Sequence, residues 1–356
     1  MGDTGGVQQG ELVSRPGVSV IMPVLNGERH LRDAVGMVLA QDWPGPLEIV
    51  LAVGPSSDRT EQIALELAGE DDRIVVVENP SGRTPDALNA AVAAARGEII
   101  VRVDGHAEIP GDYISVAVEV LERTGADNVG GIMDAQGVTP FQRAVACAMK
   151  SPLGVGNSRF HVGGDEGPTE TVYLGVFRRA AIERVGGFDA HYTRAQDWEM
   201  NHRIRQTGGI VYFTPDLRVV YRPRSSIKAL ARQYLNYGRW RRVVSRNHRG
   251  TINLRYLAPP VMVAVVGAAS ACAVADRRAL LVPGTYLAFV GVGGVVVARR
   301  EPLRARLLTP FVMAIMHWSW GVGFLTSPRG LAEKSRYSDP SHERGAVREQ
   351  RREEGQ

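Results

Sequence analysis

Two short stretches carry the side chains that could do chemistry. Asp104-Gly105-His106 closes an apolar run, 98–103, that reads as a strand, and Gln196-Asp197-Trp198-Glu199 sits where a helix would begin. A carboxylate and an imidazole at i and i+2 of a strand end can converge on one divalent cation. The imidazole suits Mn2+ better than Mg2+, which prefers oxygen shells. A carboxylate such as Asp197, within hydrogen-bond reach of a hydroxyl, can take its proton as a new bond forms. The bland alternatives are a turn aspartate beside a surface histidine for the first stretch and a helix cap for the second.

These residues need elements to hold them. Short β-branched runs at 18–23, 47–53, 74–77 and 98–103 alternate with stretches of helical spacing at 28–41, 58–68 and 84–95. Strands alternating with helices of this length predict a parallel sheet covered on both faces. Ligands of such sheets lie at the carboxyl ends of the strands, and Asp104 follows one of those ends.

After residue 255 the character changes. Segments 256–275, 279–298 and 307–328 contain no Asp, Glu, Lys or Arg, and their lengths suit a hydrocarbon core of roughly 30 Å. Two spans are expected. The third segment carries His317, Trp318 and Trp320 near its middle, which fits a helix lying in the membrane plane or re-entering. Six arginines between Arg239 and Arg255 precede the first span, and Arg299, Arg300, Arg304 and Arg306 follow the second. Two spans leave both groups on the cytoplasmic side, whereas a third would export the tail with its seven Lys or Arg.

The remaining composition excludes more than it assigns. A net charge of +4 is too weak to indicate nucleic acid. Cys147 and Cys272 are the two cysteines, too few for a disulfide framework or a cysteine metal site. The Gly-rich, acidic start has no basic lead into an apolar core, so no signal peptide is expected. The expected organisation is a disordered lead (1–16), a catalytic domain (17–225), a basic amphipathic interface segment (226–255), a membrane region (256–328) and a charged disordered tail (329–356).

Ordered motifs then bring a resemblance. Ser19-Val20-Ile21-Met22-Pro23-Val24-Leu25-Asn26-Gly27-Glu28, Ala87-Leu88-Asn89, Ala95-Arg96-Gly97-Glu98 and the strand into Asp104-Gly105-His106 resemble, in that order, the family 2 glycosyltransferases. Thr169–Arg179 and Val185-Gly186-Gly187-Phe188-Asp189 resemble more narrowly the succinoglycan-biosynthesis branch of bacterial members. The resemblance covers roughly 17–245 and implies a GT-A-like, Rossmann-like mixed sheet with C-terminal transmembrane helices. It implies an inverting transfer of sugar from a nucleotide-sugar donor to a lipid-linked or polysaccharide acceptor. The catalytic domain would be cytoplasmic, at the inner face of the cell membrane and beside its lipids.

By the same resemblance Asp197 is the catalytic base, and Asp104 with His106 holds Mn2+ or Mg2+ on the donor diphosphate. Pro23, Asp58 and Asn89 fall at the donor pocket, though Asp58 serves equally as the cap of the next helix. Asn236-Tyr237-Gly238-Arg239-Trp240 partly matches the Gln-x-x-Arg-Trp motif of processive members. The match puts Arg239 on the diphosphate and Trp240 where a sugar can stack, and a basic helix lying on anionic lipid accounts for the same residues. Glu199 either orients the base or faces solvent. Three departures stand out: Val53 and Gly54 replace the acids that contact the nucleotide, His106 replaces an Asp, and Gln196 replaces an acid. They favour, as the rival reading, a non-catalytic nucleotide-sugar-binding membrane scaffold. A nucleotidyltransferase is a further alternative, but it would not need membrane spans.

Overall fold

The computed structural model describes residues 15–332. Residues 1–14 and 333–356, which hold nearly all of the expected lead and tail, lie outside the described residues.

Strands β1 (Val18–Val24), β2 (Leu47–Val53), β3 (Ile74–Glu78) and β4 (Ile99–Arg102) run parallel in the order β3-β2-β1-β4. They are joined by α1 (Leu31–Leu39), α2 (Thr60–Glu70) and α3 (Thr84–Ala94). The period-two alternation of β1 sends Val20 and Met22 to one face and Ile21 to the other. The first face packs against Leu31 and Val35 of α1, Ile63 and Leu67 of α2, and Ile114 and Val118 of α4 (Tyr113–Thr124). The second packs against Leu88 and Ala91 of α3 and, further along, Ile182, Met200 and Ile204. Helices therefore cover both faces, as predicted.

The second half of the sheet departs from the all-parallel expectation. β5 (Asn128–Ala135) is followed by α5 (Pro140–Met149), α6 (Pro152–Val155), α7 (Arg159–Val162) and the short β6 (Gly167–Pro168). The chain returns through β6, and β7 (Tyr173–Arg178) lies along the first half of β5, with Tyr173 opposite Gly131 and Phe177 opposite Asn128. It runs antiparallel between β4 and β5. After α8 (Arg179–Arg184) and α9 (Gln196–Gln206), β8 (Val211–Tyr221) pairs parallel with β5 and antiparallel with β6. The described sheet is thus mixed and eight-stranded.

Ser226 caps α10 (Ile227–Asn247), accepting a hydrogen bond from the Ala229 amide at 3.3 Å. Then come α11 (Leu254–Cys272), one 3-10 turn (Arg277–Leu280), α12 (Leu281–Val297) and α13 (Leu303–Leu325). Three stretches, Leu254–Cys272, Arg277–Val297 and Leu303–Leu325, are long and apolar enough to cross a membrane. They are not equivalent: 39% of the third is buried in protein, against 17% and 11% of the others. Val261, Val265, Leu287, Phe289 and Val292 on α11 and α12 remain exposed.

The third helix instead packs along α10 and α5, and Met313 and Met316 share a core with Leu230, Tyr234 and Val145. Backbones approach closely there: a Cβ on Gly238 would lie 2.0 Å from the Trp320 carbonyl oxygen, and one on Gly323 would lie 2.1 Å from that of Leu235. The polar residues that look out of place in a span face protein. His317 Nε2 is 2.8 Å from the Leu153 carbonyl oxygen, and Trp320 stacks on Phe324 and Tyr256.

Candidate active site

The site begins at the end of β4. Arg102 is the last residue of that strand and is 5% exposed. Asp104 lies two residues on, so both side chains leave the same face of the extended chain. The Ala107 amide donates to the Asp104 carbonyl oxygen at 2.8 Å, closing a turn in which Gly105 rests against Val24 at the end of β1. Pro23 sits beside it in β1, paired with Ala52 of β2.

The second acid arrives from the far half of the chain. Segment 185–195 leads to α9 and is pinned at several points. Asn89 accepts from the Phe188 amide at 2.8 Å and donates to the Phe188 carbonyl oxygen at 2.7 Å. Arg83 donates to the Ala190 carbonyl oxygen. Arg203 donates to the carbonyl oxygens of Val185 and Gly187. Ala195 then takes a left-handed conformation, φ 62°, and α9 begins with Asp197 in its first turn. A non-glycine residue at positive φ is strained and is held there by its surroundings. The helix N-terminus favours the ionised carboxylate.

Arg102 joins the halves. Its Nη2 and Nε donate to Asp104 Oδ1 at 2.9 and 3.1 Å, and its Nη1 donates to Asp197 Oδ1. Two carboxylates 93 residues apart in sequence therefore share one buried guanidinium. Neither is sealed, since the side chains of Asp104 and Asp197 keep 20% and 35% of their surface exposed. Burial works against the charge of Arg102, but the two acids outweigh it and hold the guanidinium ionised. Burial raises Asp197 above the usual aspartate range, with Arg102 pulling it down and Asp104 pushing it up. Asp197 is thus a stronger base than a free aspartate. Asp104 Oδ2 is in no hydrogen bond or ion pair among the described residues, and His106 is exposed two residues away.

The other predicted residues fall into two groups. At the carboxyl ends of β1 and β2 two loops are zipped together. Ser57 N donates to Asn26 Oδ1 at 2.8 Å, Gly27 N to Thr60 Oγ1 at 2.7 Å, and Glu28 N to Asp58 Oδ2 at 3.2 Å. Asp58 Oδ1 accepts from the Thr60 amide at 3.1 Å, and the Thr60 hydroxyl, first among the causes, lowers the Asp58 pKa. Asp58 therefore ties the start of α2 to the β1 loop, and Asn89 ties down the Gly-Gly-Phe-Asp segment; both act as braces. Val53 is buried.

Trp240 requires a correction. It is 6% exposed, packed in a cluster with Tyr192, Trp198, Val243 and Val244, and so has no open face for a sugar. Arg239 lies on α10, where its carbonyl oxygen accepts from Ser327 Oγ at 3.0 Å and its Nε is buried with no partner. No hydrogen bond or ion pair among the described residues links it to Asp104 or Asp197. Glu199 does not face solvent, and no hydrogen bond among the described residues joins its side chain to that of Asp197. It is 1% exposed and pairs with Arg203 at 2.7 Å and His248 at 3.3 Å.

Arg102 was missed from sequence. Its signal is a lone cation in the buried run Ile99-Ile100-Val101-Arg102-Val103, on the same strand face as Asp104. A charge in such a place requires partners.

A mixed sheet of this order, with an acid after β4 and a second acid in the first turn of α9 held on the same arginine, is the arrangement of a GT-A glycosyltransferase. The chain belongs to glycosyl transferase family 2, whose profile matches residues 19–186. It is 31% identical over 307 residues to the succinoglycan biosynthesis protein ExoA of Rhizobium meliloti, covering 86% of this chain and 93% of that one. It is also 25% identical over 252 residues, 68% of this chain and 77% of the other, to a Methanococcus voltae enzyme. That enzyme is the dolichyl N-acetyl-alpha-D-glucosaminyl phosphate 3-beta-D-2,3-diacetamido-2,3-dideoxy-beta-D-glucuronosyltransferase. Among solved structures, the fold is similar to the mannosyltransferase PcManGT of Pyrobaculum calidifontis, solved with GDP-Man and Mn2+. The TM-score is 0.60 at 21% identity, over 88% of each chain.

Proposed function

We propose that this glycosyltransferase moves a sugar, with inversion, from a nucleotide-sugar donor to a hydroxyl of a lipid-linked glycan at the inner leaflet of the cell membrane. The observation that carries the reading is the Arg102 bridge, which brings Asp197 and Asp104 together with both carboxylates partly exposed. Asp197, with its raised pKa, accepts the proton of the acceptor hydroxyl as that oxygen attacks the anomeric carbon from the face opposite the leaving nucleotide. Arg102 keeps Asp197 in place and compensates the charge of the two acids. The zipped loops at β1 and β2 form the wall beside which the nucleotide lies. The relative acting on a dolichyl phosphate sugar and the relative in succinoglycan biosynthesis support a lipid-borne or polysaccharide acceptor.

The residues present fit a divalent cation beside Asp104. The unengaged Oδ2 of Asp104 and the exposed His106 offer one or two protein ligands, the number such ions take when phosphate and water supply the rest. Such a cation, Mn2+ or Mg2+, would neutralise charge on the departing diphosphate.

The ends of α13 support two membrane spans. Glu301, just before it, pairs with Arg143 of α5 at 3.6 Å. Just after it, Arg246 of α10 donates to the carbonyl oxygens of Ser327 and Pro328, each at 2.9 Å. A helix of 23 residues is about 34 Å long, one end tied to α5 of the catalytic domain and the other to α10. It therefore lies along that domain at the membrane face, while α11 and α12 cross and return.

The test uses the purified full chain in detergent with a panel of nucleotide sugars and Mn2+. Asp197→Asn is expected to lose transfer by at least about a hundredfold while keeping donor affinity, and Asp104→Asn to weaken metal-dependent donor binding. Undiminished turnover by Asp197→Asn would remove it as base. Donor binding by the parent with no turnover of any donor would favour the scaffold.

A further inference from the structure

A cavity of about 540 Å³ lies beside α9, lined by Arg159 of α7, Arg205 of α9 and Arg255 of α11 with Asn157, Thr171 and Glu170. A second space of about 200 Å³ shares Arg205, Glu170 and Asn253 and adds Arg249, His202 and Trp198. Four arginines thus face one carboxylate among the lining residues. That carboxylate, Glu170, makes only a long contact with Arg255, 3.8 Å. The Arg205 side chain is in no ion pair or hydrogen bond among the described residues, and its Nε is buried without a partner. A buried guanidinium nitrogen without an acceptor is costly, and an anion in the cavity would meet it. The lining histidine adds no charge: burial, followed by neighbouring cations, holds His202 down to about 4.

The place of the cavity matters as much as its charge. Arg255 is the second residue of α11, the first apolar stretch long enough to span, and Asn253 caps that helix. Leu254 and Val261 just beyond are exposed. At the other end stands Trp198, the residue after Asp197. The two spaces, which share Glu170, Arg205 and Asn253, thus lie between the start of α11 and Trp198 in the first turn of α9.

We propose that this cavity binds the phosphate or diphosphate of the lipid that carries the acceptor, so that the attached sugar points past Trp198 toward Asp197. The proposal rests on the transferase reading above for the acceptor's role, but not for the binding itself. Arg205 and Arg255 hold the phosphate oxygens, the lipid tail follows the exposed side of α11, and Glu170 sets the charge of the cavity.

The test is calorimetric titration of the full chain in neutral detergent with farnesyl diphosphate, inorganic pyrophosphate and farnesol, the last lacking phosphate. Farnesyl diphosphate is expected to bind, pyrophosphate to compete, and farnesol to fail. Arg205→Gln and Arg255→Gln should each weaken binding about tenfold, in keeping with loss of a charged hydrogen bond. Arg205→Lys should retain most of it, and Glu170→Gln should tighten it. Equal binding by both Gln variants, or binding of farnesol as tight as that of its diphosphate, would overturn the site. Phosphatidylglycerol vesicles separate the sources: failure to displace farnesyl diphosphate supports the acceptor lipid, and full displacement overturns it in favour of bulk headgroups. Because no donor or turnover enters these titrations, failure of the transferase reading would show separately, as a parent that binds the diphosphate but turns over no donor.

Discussion

Arg102→Gln is the perturbation that the bridge makes most informative. The substitution keeps a hydrogen-bonding head near Asp104 and Asp197 but removes the cation between them. For charge centres about 4 Å apart at an effective dielectric constant of about 20, each pair is worth roughly 4 kcal/mol. With the cation gone, two acids face each other with nothing between, and the cheapest response is for one to hold a proton. Asp197 is already raised by burial, so it is the one expected to stay protonated. The linkage sign follows: the folded chain binds this proton more tightly than the unfolded one, so Asp197's contribution to stability falls as pH rises from its ordinary 3.8 through the folded value.

Breaking a buried pair costs about 3–5 kcal/mol, and the partial exposure of both acids reduces this to about 2–3 kcal/mol, so the variant should fold with a lowered Tm. The assay is kcat/KM for transfer across pH, with melting followed by fluorescence. At neutral pH the rate should fall by about a hundredfold or more, the acid limb should move to higher pH, and raising the pH should recover part of the rate. A uniform loss at every pH with an unmoved acid limb would refute the electrostatic role of Arg102.

Two other expectations follow from the geometry. Asn89→Ala removes both hydrogen bonds to Phe188 and should cost about 2 kcal/mol of stability; kcat should fall while donor affinity holds, and a loss confined to donor affinity would return Asn89 to the donor pocket. In a chain with Cys147 and Cys272 replaced by Ser, a membrane-impermeant maleimide added outside spheroplasts should label Val274→Cys and spare Gly330→Cys; labelling of Gly330→Cys would mean that α13 crosses the membrane.

Much of this site was legible in the residues, because strands and helices of the first half obey local patterning and Asp104 follows a strand end by construction. The direction of β7 was not, since it depends on where the excursion after β5 comes back, a property of packing rather than of the strand's own residues. The Arg102 bridge escaped because periodicity marks which face a residue takes but not what approaches that face from 95 positions away. Trp240 misled for a related reason. Its motif neighbours suggest an open ring, whereas Leu230, Tyr234, Gly238 and Arg241 mark a long inner face of α10 with Trp240 beside it. Even the charge of Arg241 is absorbed there, between the rings of Trp198 at 4.1 Å and Tyr256 at 3.7 Å.

On the proposed function, that inner face is what would bring a lipid-borne acceptor to Asp197. Trp240 packs on Tyr192 and shares its cluster with Trp198, and His248 just past the helix reaches Glu199, so α10 braces the segment that presents Asp197. The same helix closes on α13 through Gly238 and Gly323, where no side chain intervenes, and holds its end through Arg246. Contacts this close have no slack. The depth of Asp197 relative to the apolar helices is therefore set by one rigid helix, and a lipid-borne hydroxyl, free to move only in the plane of the bilayer, would meet the base at a fixed height.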